Sequence, residues 1–164
     1  MITHFNNIGC LFTWDSKNKC IHQLDNIDIL VKDGVIIDIG SSIKKGNLSI
    51  DCDNKLVTPG FVDSHTHPVF FQGREEEYAL RISGISYQEI ADKGGGIKSS
   101  IEGVRNATVD ELVDKVYLRM NKFLQNGTTT VEAKSGYGLS TESELKSLEV
   151  LHKVDKNHKI DIIP

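Results

Sequence analysis

The stretch Thr58-Pro59-Gly60-Phe61-Val62-Asp63-Ser64-His65-Thr66-His67 restricts the fold more tightly than any other. Phe61 and Val62 read as a short buried strand entered through a Pro-Gly turn. Alternate side chains of a strand share a face, so His65 and His67 at i and i+2 aim the same way. Imidazole is the commonest metal-binding side chain, and two on one strand make half a metal site. In a chain with six histidines, a bare His-x-His pair is a weak signal. Its setting, a strand that ends abruptly in potential ligands, is what gives it weight.

The chain downstream alternates in type. Ser86-Tyr87-Gln88-Glu89 has capping-box spacing and predicts a short helix, ended by Gly94-Gly95-Gly96. Before it, Gln72 to Glu77 reads as a polar segment. Thr108-Val109-Asp110-Glu111 is a second capping box. Leu112, Val116, Met120, Phe123 and Leu124 follow it at helical spacing as core, with Gly127 as the stop. The β-branched run Thr128 to Ala133 reads as a strand. A helix from Thr141 is expected to bury Leu145, Leu148, Leu151 and Val154, and Ile160 to Ile163 opens another strand. Alternating strands and helices imply parallel strands with crossover helices. A (β/α)₈ barrel needs roughly 250 residues. Residues 58–164 are therefore expected to be the first part of a barrel, with about three strands by the same repeat length, and the chain the front of a longer protein.

Residues 1–57 read as a small β domain. Leu11 to Trp14 is one strand, with Trp14 expected in its core. Ile27 to Lys32 and Val35 to Ile39 form a hairpin around Asp33-Gly34, where glycine accepts the turn. Leu56-Val57 is a last short strand. The expected result is a small antiparallel, β-sandwich-type sheet.

Composition excludes several classes. The net charge is −4 and no basic block is present, so nucleic acid is not an expected partner. No apolar run is long enough to span a membrane, and the N-terminus lacks the regions of a signal peptide. The three cysteines, Cys10, Cys20 and Cys52, are odd in number and lack zinc-ligand spacing, so they read as reduced bystanders. The expected location is the cytoplasm.

Other candidates are weaker on sequence grounds. Arg74, in the loop after His67, could clamp a carboxylate through two parallel hydrogen bonds, but spacing alone favours a surface pairing with Glu75 to Glu77. Tyr137, between Gly136 and Gly138, reads equally as an inward-turned phenol or an exposed loop residue. The triple glycine reads as a mobile active-site loop or as a plain linker. Lys134 is assigned a supporting role. His4, His22, His152 and His158 read as surface or packing residues.

The motif from Pro59 to His67 resembles the first barrel strand of the amidohydrolase superfamily. Four further segments sharpen that likeness: Gly73 to Glu77, Arg81 to Tyr87, Gly94 to Ile97, and Val131-Glu132-Ala133-Lys134-Ser135-Gly136-Tyr137-Gly138-Leu139. Together they resemble the imidazolonepropionases over most of 56–154. The resemblance implies metal-dependent hydrolysis of the cyclic amide 4-imidazolone-5-propanoate to N-formimino-L-glutamate, in histidine degradation. It implies one metal ion, Zn2+ or Fe2+/Fe3+, with His65 and His67 as two of its ligands. It also implies substrate contacts from Arg74 and Tyr137, a small-molecule substrate as partner, and a homodimer for the full-length protein. The remaining metal ligands and the general base of the family come from later strands. No catalytic acid or base is therefore assigned here, and the chain alone is expected to be inactive. Another cyclic amidohydrolase or deaminase, or a non-catalytic metal-binding fragment, is the alternative.

Overall fold

The computed structural model describes residues 1–43 and 46–164. Contacts divide the chain into two units, Met1–Pro59 and Gly60–Pro164.

In the first unit, β1 (Ile2–Asp15), β2 (Cys20–Lys32), β3 (Val35–Gly40), β4 (Leu48–Asp51) and β5 (Leu56–Val57) form one five-stranded sheet. The hairpin turn falls at Asp33-Gly34, as its residues dictate. The sheet is mixed rather than antiparallel, because β4 and β5 both pair parallel to β1. Its core is Ile8, Leu11, Ile27 and Ile29. Trp14 lies outside that core, 59% exposed. It pairs with Ile21 near the far end of the long β1–β2 hairpin, beyond the reach of the buried cluster. His4 is a buried packing residue whose Nε2 lies 2.9 Å from Asp28 Oδ2.

The second unit runs β6 (Phe61–Thr66), α1 (Glu75–Ile82), α2 (Tyr87–Asp92), α3 (Ile97–Asn106), α4 (Val109–Gln125), β7 (Thr128–Ala133), α5 (Thr141–Asp155) and β8 (Asp161–Ile163). The strands pair in parallel in the order β6-β7-β8. Leu112, Val116 and Met120 of α4 pack with Val131 and Ala133 of β7 and with Val150, Leu151 and Val154 of α5. Two readings from sequence need correction. Phe61 and Val62 are exposed, because β6 is an edge strand flanked only by β7 among the described residues. On α5 the buried face is Ser143, Ser147, Val150, Leu151 and Val154, while Leu145 is 60% exposed. At 100° per residue Leu145 stands nearly opposite Ser143. The apolar spacing misplaced the face because two serines occupy it.

Both predicted capping boxes form. Glu111 Oε2 accepts from the Thr108 amide and hydroxyl, each at 2.8 Å, and Thr108 Oγ1 accepts from the Glu111 amide. The Thr108 backbone N–H, then its hydroxyl, holds the Glu111 carboxyl below its ordinary value of 4.5. A depressed carboxylate stabilises the fold above its unfolded pKa, and that contribution is lost as pH falls through the folded value. The expected result is an acid limb that begins below 4.5 in the wild type and is reduced in Glu111→Gln, read from urea midpoints against pH.

Candidate metal and substrate site

The parallel sheet puts the ends of β6 and β7 side by side. The Thr66 hydroxyl donates to the Glu132 carbonyl at 2.7 Å, and the Lys134 amide donates to the Thr66 carbonyl at 2.8 Å. This lacing fixes the residue between the two histidines and the segment leading to Tyr137. His65 is the penultimate residue of β6 and His67 is the first residue beyond it. Their ring centroids are 5.1 Å apart with planes at 78°. The two imidazoles are thus neighbours at the C-terminal end of β6.

His67 meets Tyr137 edge to face, with centroids 5.7 Å apart. Gly136 makes this approach possible. Its φ is +142°, and a Cβ there would lie 3.1 Å from the His67 imidazole. At Gly138 the restriction is different: a Cβ would stand 2.5 Å from that of Ser143. The two glycines beside Tyr137 therefore serve backbone path on one side and close packing on the other.

Arg74 and Tyr137 line one cleft of about 330 Å³, with Phe70 and Ser100. Arg74 sits at the N-cap of α1, its Nε 4.0 Å from Glu77 Oε2. The other oxygen of Glu77 accepts from the Gly96 amide at 2.7 Å, so the triple glycine lies beside the partner of Arg74. The structure thus brings His65, His67, Tyr137 and Arg74 into one neighbourhood. His67 also lines a separate cleft of about 490 Å³ with Phe70 and Arg119.

Three supporting residues were not legible in the sequence. Arg119 of α4 donates to the carbonyls of Pro68 and Phe70 at 3.1 and 2.7 Å, and its guanidinium lies 3.4 Å from the Phe70 ring centroid. Burial pushes its pKa down to about 10, against the opposing charge of Glu75. Arg105 and Glu144 bind the backbone of the Tyr137 loop. They lie 33 and 6 residues from Gly138, separations at which no local pattern speaks.

The donor set fits a divalent ion as two of its ligands: two adjacent imidazoles on a fixed strand end. Glu132 stands behind His65, with Oε2 3.7 Å from Nδ1 and Oε1 2.8 Å from Lys134 Nζ. That Oε2 is buried and has no hydrogen-bond partner. The Lys134 hydrogen bond holds the Glu132 carboxyl below its usual range, which keeps an anion beside the imidazole. Among the described residues no group of three or more His, Cys, Asp or Glu side chains forms a complete metal cluster.

The sequence is 48% identical over 149 residues to an imidazolonepropionase of Clostridium tetani, covering 87% of this chain and 36% of that protein. The chain is a homologue of the imidazolonepropionases. A second imidazolonepropionase, from Bacillus cytotoxicus, is 41% identical over 169 residues, covering 96% of this chain and 40% of that protein. The chain thus spans 36–40% of the length of these two imidazolonepropionases. No protein-family model matches it. Among solved structures it is similar to N-isopropylammelide isopropylaminohydrolase from Burkholderia multivorans, with TM-score 0.65 and 17% identity over 99% of this chain and 36% of the other. It is also similar to an atrazine chlorohydrolase from Arthrobacter aurescens that was solved with zinc, with TM-score 0.60 and 16% identity over 98% and 34%. At such identities these likenesses show the fold alone, the start of a (β/α) barrel with a small β domain.

Proposed function

We propose that this chain supplies one side of an active site that hydrolyses the ring amide of 4-imidazolone-5-propanoate to give N-formimino-L-glutamate. The observation that carries the reading is that Tyr137, from the loop after β7, meets His67 and shares a cleft with Arg74, both from the segment after β6. The names of the relatives supply the substrate class, and the zinc in the chlorohydrolase structure supports a metal-dependent reaction.

In this reading His65 and His67 hold a zinc or iron ion, with further ligands from outside this chain. A bound ion would polarise the ring carbonyl and make water a better nucleophile at neutral pH. Glu132 faces Nδ1 of His65 and leaves Nε2 free to act as a ligand, the usual arrangement of a carboxylate behind a metal-binding imidazole. Arg74 binds the propanoate carboxylate with its planar fork. The Tyr137 hydroxyl hydrogen-bonds the ring and fixes its orientation, which lowers the entropic part of the barrier.

The test is a chimera in which residues 59–154 replace the matching segment of the Clostridium tetani relative. The chimera is expected to hydrolyse imidazolonepropanoate. Arg74→Ala should lower kcat/KM by roughly 10- to 100-fold, the worth of charge-assisted hydrogen bonds, and change little for a substrate whose carboxylate is replaced by an amide. Equal losses on both substrates would remove Arg74 from the carboxylate. The isolated chain is expected to show no turnover, and a metal-dependent rate from it would overturn the need for ligands from outside this chain.

A further inference from the structure

We infer that Arg105 and Glu144 are positioning residues for Tyr137. They hold the loop between β7 and α5 from opposite sides and thereby set where the phenol stands against His67. The inference deepens the proposed function, since it rests on Tyr137 facing the substrate.

The two residues that follow Tyr137 are held by charged side chains at all four of their backbone polar atoms. Glu144 Oε1 accepts from the Gly138 amide at 2.9 Å and from the Leu139 amide at 2.7 Å. Arg105 donates from Nε to the Gly138 carbonyl at 2.7 Å and from Nη2 to the Leu139 carbonyl at 2.9 Å. Bonds with one ionised partner are roughly twice as strong as neutral ones. They come from two different helices, α3 and α5, so the loop is referenced to both.

The loop needs such holding. Leu139 has φ +49°, a left-handed conformation that a branched side chain adopts only when its surroundings enforce it. Gly138 leaves no room for a Cβ against Ser143. Lys146 of α5 donates to the carbonyls of Arg105 and Ala107, which ties the end of α3 to α5 and keeps the Arg105 fork in register with Glu144. One residue upstream of this clamp, Tyr137 meets His67 at 5.7 Å and Phe70 at 6.3 Å. A rigid, charge-held loop with an aromatic at its inner edge is a device for placing that aromatic, and arginine's fixed fork suits it better than lysine's point charge.

The experiment uses the whole chain with its four tyrosines replaced by 3-fluorotyrosine and read by fluorine NMR. Tyr137→Phe assigns the Tyr137 resonance. In the wild type that resonance is expected to be displaced from free fluorotyrosine by the His67 and Phe70 rings. Arg105→Ala and Glu144→Ala should each remove more than half of that displacement. The Tyr117 resonance, which reports its edge-to-face contact with His158 at 4.8 Å, should stay in place and shows that α4 remains packed. Arg105→Lys and Glu144→Gln, which are milder, should give smaller shifts in the same direction, and they carry the test if the alanine variants lose the Tyr117 signal. A Tyr137 resonance unmoved in folded variants overturns the inference. Imidazole-4-propanoate added to the wild type tests the underlying reading separately. If it leaves Tyr137 unmoved while the clamp variants shift it, the substrate contact falls and the clamp stands.

Discussion

Double replacement of His65 and His67 by alanine is expected to erase zinc binding by the chain. Loss of a ligand's outer hydrogen-bond partner alone costs roughly 10- to 100-fold in metal affinity, so loss of both imidazoles should exceed that range. The measurement is a zinc titration followed by the histidine ring-proton resonances. In the wild type the signals of His65 and His67 should move together, because the rings are 5.1 Å apart on one strand end. His22→Ala and His152→Ala should leave the titration unchanged, since both residues lie on exposed surface elsewhere. Zinc binding that survives the double replacement would place the ion somewhere other than β6, and the proposed chemistry would lose its centre.

The second large effect is on stability. Leu151→Ala should cost about 2–5 kcal/mol, the usual range for a fully buried leucine truncated in a core that cannot collapse around the gap. Leu151 is fully buried and belongs to the cluster formed with α4 and β7. Leu145→Ala, the same substitution on the same helix, should stay within about 0.5 kcal/mol, as exposed sites do. Urea denaturation of the two variants checks this. Equal costs would mean that α5 packs with a different face from the one described. Stabilities of natural domains lie near 5–15 kcal/mol, so the Leu151 variant should be visibly compromised at moderate temperature.

Local chemistry was readable where a few neighbouring residues decide the outcome. The boxes at Ser86 and Thr108 are satisfied within four residues, and both form. The α4 stripe repeats over several turns, with Leu112, Val116 and Met120 buried and Phe123 and Leu124 half-buried near the helix end. Helix α1 was hidden because Glu75-Glu76-Glu77 reads as a polar loop, although acidic residues in a first helical turn complement the macrodipole. The long strands β1 and β2 were read too short because Asn6, Asn7, Asp25 and Asn26 interrupt the apolar pattern. There Asn7 adopts φ +57° where the β1–β2 register shifts. Among the candidate site residues, the sequence singled out His65 and His67 by their spacing and strand setting, and Arg74 and Tyr137 through their motif context. Arg105, Arg119 and Glu144 did not, because their value lies in backbone groups that only the fold brings within reach.

Arg119 joins two things that proteins often keep apart. Its guanidinium grips the chain that leaves His67, while its neighbour Met120 is sealed into the α4 core. A slip of that helix along its axis would therefore be transmitted to the imidazole through a single side chain. Substitutions that merely loosen the interior should blur the geometry at the mouth of the sheet before they unfold anything.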